Sequence, residues 1–158
     1  LAYYASVLPF RHSVDELIEV MKPWYGNYCF DNSECGMAII YNPAMALNFV
    51  DNYIQSNYEI PKKPCEVIPS TDHEIVRQLI RYAKEFAHDS CIIEDIMTKG
   101  FALGYLLDIF PATSINTPDG ILSLLFNLGM VTIDGTYQSY TRFVITNEAV
   151  RKQMQTLI

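Results

Sequence analysis

The chain has 158 residues, enough for one ordinary domain or two small ones packed together. Half of them are apolar and 13% are aromatic, ample material for a core, which argues against disorder. A net charge of −7 and a pI of about 4.8 argue against the basic stripe on which a nucleic-acid binder relies.

The acid is concentrated early. Residues 1–60 set Arg11 and Lys22 against Asp15, Glu16, Glu19, Asp31, Glu34, Asp51 and Glu59, whereas residues 115–158 are balanced. No apolar run approaches the roughly 18 residues of a membrane helix, so no membrane partner is expected. The start lacks an initiator Met and a signal pattern, and the end stops inside a helical pattern. Both ends are therefore expected to be cut from a longer protein. Cys29, Cys35, Cys65 and Cys91 form no Cys-x-x-Cys and are expected to be free thiols in a reducing cytosol, a Cys29–Cys35 disulfide being the minority reading.

In chain order, the first expected helix covers 13–22. Ser13 and Glu16 form a capping box, Val14, Leu17, Ile18 and Met21 make its apolar stripe, and Pro23 is expected to end it. An aromatic run follows, Trp24, Tyr25, Tyr28 and Phe30, leading into an acidic loop over 26–36. Met37 to Tyr41 reads as a short strand or an extended lead-in. Asn42 caps the next helix with Pro43 at its first position, and the helix is expected to run to about Tyr58 with Met45, Phe49, Val50 and Tyr53 on one side. The segment 60–70, with three prolines, reads as a connector; Thr71 and Glu74 open a helix to about Ala87, and 90–98 is a short helix stopped by Lys99-Gly100.

The last third changes rhythm. Phe101 to Ile109 is extended or ambiguous. Thr117 caps a helix with Pro118 at its first position, apolar on most sides and ended by Gly129. Met130 to Ile133 reads as a strand, Asp134-Gly135 as the start of a turn, Tyr140 to Ile145 as the return strand, and Thr146 or Asn147 as the cap of a terminal helix. A strand, a helix, a hairpin and a helix in that order outline a winged-helix-like unit. The fold class is thus mainly α with a small β hairpin.

Chemistry is hard to find. No G-x-x-x-x-G-K-[ST] occurs to cradle a phosphate, and Gly100-x-x-x-Gly104 reads as a turn or close packing. Tyr105 to Asp108 only faintly resembles a strand ending in a magnesium-holding Asp. His73 reads as solvent-facing, His88 as a helix-end cation and Glu94-Asp95 as a solvated face. No Gly-x-Ser-x-Gly and no Cys beside a His are present. The aromatic run could stack bases, but only Lys22 lies near it, so core or interface packing is the favoured reading. The helix after Thr117 carries Asp119 and neither Lys nor Arg, so it lacks the phosphate contacts that dominate DNA affinity.

Four segments carry a resemblance: Trp24-Tyr25-Gly26-Asn27-Tyr28-Cys29-Phe30, then Tyr41-Asn42-Pro43 through Leu47-Asn48-Phe49, then Ser123-Leu124-Leu125-Phe126 through Gly129-Met130-Val131-Thr132, and last Val144-Ile145-Thr146-Asn147. In order and spacing the chain resembles the region behind the P-loop core of the AAA-ATPase-like proteins of gut Bacteroidetes and related anaerobes, ahead of any PD-(D/E)xK nuclease-like domain. It departs from that pattern with Gly26 one place early, Asn27 at the family's Gly, and Thr146 at its Pro. The resemblance covers most of 13–158 and is weakest over 60–100.

The resemblance implies a helical lid-like segment over 1–60, a connector with helices over 61–100, and a winged-helix-like module over 101–158. It implies a non-catalytic part of a cytoplasmic AAA-type ATP-binding protein, without catalytic, metal or cofactor residues of its own, ATP and magnesium belonging to the absent core. The ATPase core would be its partner, met through Trp24, Tyr25, Tyr28, Phe30, Tyr41 and Asn42. A stand-alone protein-interaction module is the alternative, and a winged-helix nucleic-acid binder the less favoured one.

Overall fold

A computed structural model describes residues 1–30, 40–62, 77–78, 81, 92–107, 114 and 116–157. Among these residues the fold is mainly helical with one three-stranded antiparallel sheet. The elements are α1 (Ala2–Val7), α2 (Val14–Tyr25), α3 (Pro43–Gln55), α4 (Ile92–Lys99), β1 (Phe101–Gly104), α5 (Pro118–Asn127), β2 (Val131–Tyr137), β3 (Tyr140–Ile145) and α6 (Glu148–Leu157). Of the helix expected over 71–87, only Arg77, Gln78 and Arg81 are described, and they are helical.

Local chemistry sets the helix starts. Ser13 and Glu16 form the complete capping box of α2. Pro23 does not end that helix, as its sequence position suggested. The turn runs on to Tyr25 because Gly26 N–H reaches the Lys22 carbonyl and Tyr25 is drawn into the core. Asn42 caps α3 through Oδ1, which accepts from the N–H groups of Ala44 and Met45 at 3.0 and 3.3 Å. Met45, Phe49, Val50 and Tyr53 are its buried stripe, as the spacing predicts. The helix stops at Gln55, short of Tyr58. Asn57 adopts φ 56°, its N–H bonds to the Ile54 carbonyl, and Tyr58 N–H bonds back to the Tyr53 carbonyl. That is a Schellman ending with Asn in the left-handed position.

The ending of α5 has the same form with glycine. Gly129 lies at φ 69°, its N–H bonds to Phe126, and Met130 N–H bonds to Leu125. Thr117 caps the other end, its hydroxyl accepting from Gly120 N–H. Of the two candidates for the start of α6, Asn147 is the cap, with Oδ1 accepting from Val150 N–H at 3.0 Å.

The sheet order is β1-β3-β2, with β3 central. β1 covers only the first four residues of the run expected over 101–109; residues 108–109 lie outside the described residues. Asp134-Gly135 does not begin the hairpin turn. The register shifts by one residue between Ile133 and Thr136, so Gly135 at φ 88° sits in a bulge and β2 continues to Tyr137. The turn itself is Gln138-Ser139, both at positive φ, the geometry that matches strand twist in two-residue hairpins.

Among the described residues two apolar clusters form the core. One joins Leu17, Met21 and Tyr25 of α2 to the stripe of α3. The other packs the inner face of the sheet, Ala102, Ile133, Phe143 and Ile145, under α4, α5 and α6. α4 belongs to the sheet cluster through Ile93 and Ile96, and α6 contributes to both clusters.

Candidate protein interface

The aromatic segment after α2 runs between the two clusters. Tyr25 is 4% exposed and packs edge-on to Phe49. It belongs to this chain's own core and, unlike the other residues expected at an interface, presents almost no surface. Asn42 is likewise occupied by its capping role, and its N–H bonds to the Tyr25 carbonyl at 3.0 Å.

The other expected residues keep part of their surface. Trp24 is half-buried, with Lys152 Nζ 4.3 Å from its ring centroid, a cation–π contact from the far end of the chain. Tyr28 is half-buried over Gly129; a Cβ on that glycine would stand 3.2 Å from Tyr28 Cε1. Tyr28 stacks on Phe30, and Phe30 meets Phe126 edge-on while remaining 56% exposed. Tyr41 is half-buried, and burial, then the charge of Glu19, pushes its hydroxyl above the ordinary tyrosine value. Phe30, Trp24, Tyr28 and Tyr41 therefore offer aromatic edges to solvent around a backbone that is already held. Ile40, 45% exposed, bridges to Tyr28 beside them.

Polar bonds hold that backbone. Asn27 Nδ2 donates to the Thr146 carbonyl and Asn147 Nδ2 to the Gly26 carbonyl, each at 3.0 Å. The Thr132 hydroxyl, almost fully buried, accepts from Cys29 N–H at 2.7 Å and lies 3.0 Å from the Cys29 carbonyl, to which it donates. Cys29 is disulfide-bonded, which corrects the free-thiol expectation for this residue; the other three cysteines lie outside the described residues. The acidic loop beyond residue 30, His73, His88 and Asp108 also lie outside them.

A second aromatic group sits at the turn end of the sheet. Tyr105, Tyr137 and Tyr140 are each about half exposed, and the Tyr105 and Tyr140 rings lie 4.9 Å apart. The neighbouring Tyr140, with smaller contributions from desolvation, a hydrogen bond to Tyr140 and the Asp119 carboxylate, raises the Tyr105 hydroxyl above its ordinary value. Sequence reading missed this group because Tyr105 and Tyr140 are 35 positions apart. Two tyrosines flanking the hairpin turn were the available signal.

The helix α5 is enclosed. Gly120 through Ser123, Leu125 and Phe126 are buried, leaving Pro118, Asp119, Leu124 and Asn127 with exposed surface. Among the described residues no group of three or more His, Cys, Asp or Glu side chains could hold a metal ion, and no helix is long and apolar enough to cross a membrane. No protein-family model, curated protein or solved structure matches the chain.

Proposed function

We propose that this chain is a non-catalytic packing module, the helical lid and winged-helix-like part of an AAA-type ATP-binding protein that docks on a P-loop core encoded elsewhere in the parent. The observation that carries the reading is the state of α5. It lies in sequence between the first and second strands of a β1-β3-β2 sheet, where a winged-helix reading would put a recognition helix, yet it is largely buried and carries no cation. A helix of this kind packs; it does not enter a major groove, where basic contacts to phosphate supply most of the affinity. The half-exposed edges of Trp24, Tyr28, Phe30 and Tyr41 support docking on another protein surface, since aromatic side chains anchor such interfaces. ATP, magnesium and any nuclease chemistry would belong to the parent, in a cytoplasmic setting.

Two measurements test this. The reading frame around the fragment, with the intact mass of the native protein, is expected to place a P-loop upstream of Leu1; a native product of this length alone overturns the ATPase reading and leaves a stand-alone interaction module. Fluorescence anisotropy with generic duplex DNA is expected to show no binding at low salt. Salt-dependent binding at about micromolar strength would instead make the chain a nucleic-acid binder.

A further inference from the structure

The two halves of the molecule meet on α6. Ala149, fully buried, belongs to the cluster of α2 and α3, while Val150 and Met154 are buried in the cluster of the sheet. Val150 and Met154 are four residues apart and share one helix face, and Ala149 is turned about 100° from Val150, so the helix presents a different face to each core. The start of α6 is held by a reciprocal pair of amides. Asn147 donates through Nδ2 to the Gly26 carbonyl and accepts through Oδ1 from Val150 N–H, so a single buried side chain both grips the segment after α2 and initiates α6. Asn27 returns the grip through the Thr146 carbonyl, from a backbone at φ 70°.

We propose that α6 and this amide clasp couple the helical half and the sheet half into one cooperative body, so that a displacement of either is carried to the other. Both donors act on backbone carbonyls, and Asn147 is buried, so a small slip of the seam that breaks its bonds without admitting water leaves a polar group unpaired, and a full opening uncovers Ala149. The inference concerns the isolated chain and stands apart from the docking reading.

Native-state hydrogen exchange of the intact chain, read by mass spectrometry on peptides from α3 and from β2–β3, tests it. In the unaltered protein the slowest amides of both peptides are expected to open together, with protection agreeing within about threefold. The double variant Asn27→Gly, Asn147→Asp removes both donors while keeping a residue suited to positive φ and a competent cap. In it the two peptides are expected to fall out of step by about tenfold. Protection that already differs by about tenfold in the unaltered protein overturns the proposal. So does a variant whose peptides stay in step, whether their protection falls together or is unchanged. If the double variant does not fold, Asn147→Asp alone is read by the same criterion, and the comparison in the unaltered protein decides by itself.

Discussion

At the scale of single residues the most constrained side chain is Tyr53. It is fully buried, and its hydroxyl oxygen accepts from the N–H groups of Arg11 and His12 at 3.1 and 3.2 Å. His12 Nδ1 lies 3.0 Å from the same hydroxyl, a third polar contact on that oxygen whose donor and acceptor are set by the imidazole tautomer. Phe10, Phe49 and Tyr58 surround the Tyr53 ring. Tyr53→Phe keeps that packing and strands two backbone donors, so a loss of about 1–3 kcal/mol is expected in urea unfolding, against near-neutrality if water replaces the hydroxyl. Glu16 gives a prediction in pH. Its hydrogen bond from the Ser13 backbone, then that from the Ser13 side chain, and a smaller effect of His12 hold its carboxyl below the ordinary value. A depressed carboxyl contributes stability that is present above the unfolded value and is lost as pH falls through the folded one. Glu16→Gln is therefore expected to flatten the acid limb of the stability curve below the ordinary carboxylate range; an unchanged limb would show that the capping box does not form in solution.

At the scale of elements, close packing decides what propensity cannot. Gly120 lies inside α5, where alanine ordinarily gains about 1 kcal/mol over glycine. A Cβ there would overlap the backbone carbonyl of Ser114, which cannot move aside as a flexible side chain could. Gly120→Ala is expected to destabilise by about 1–3 kcal/mol, the usual cost of overpacking, and thermal unfolding reads the sign directly. Gly104 is similar, with Leu122 and Asp119 filling the space of its missing Cβ, while Gly100 has open space but sits at φ 85°. The two glycines of Gly100-x-x-x-Gly104 thus divide the readings that the sequence left open, one a helix-ending turn and the other a close approach.

At the scale of the molecule, the seam sets the design. The aromatic run was legible in the sequence as a feature, but its division into core and surface was not. Tyr25 and Tyr28 differ by three positions and carry the same side chain, and only the placement of α3 beneath one and Gly129 beneath the other separates them. The disulfide at Cys29 bears on the whole chain because that residue is also tied to β2 through Thr132. Cys29 is expected to resist alkylation in the unreduced native protein and to react only after treatment with a dithiol; ready alkylation beforehand would restore the free-thiol reading.

The sequence by itself determined the helix starts at Ser13, Asn42 and Thr117, the stops at Gly100 and Gly129, the buried stripe of α3 and the strands of the hairpin. Each depends on groups within about four residues, which is the reach of a capping bond or a helical face. It misjudged the ends set by less distinctive signals, Asn57 in place of a glycine and a bulge at Gly135 that leaves the turn to Gln138 and Ser139. The tertiary structure alone decided that β1 pairs with β3, that His12 meets Tyr53, and that Asn27 and Asn147 clasp across more than a hundred residues. Such contacts exist only after the loops between them have closed, and no local pattern records which distant carbonyl an amide will find.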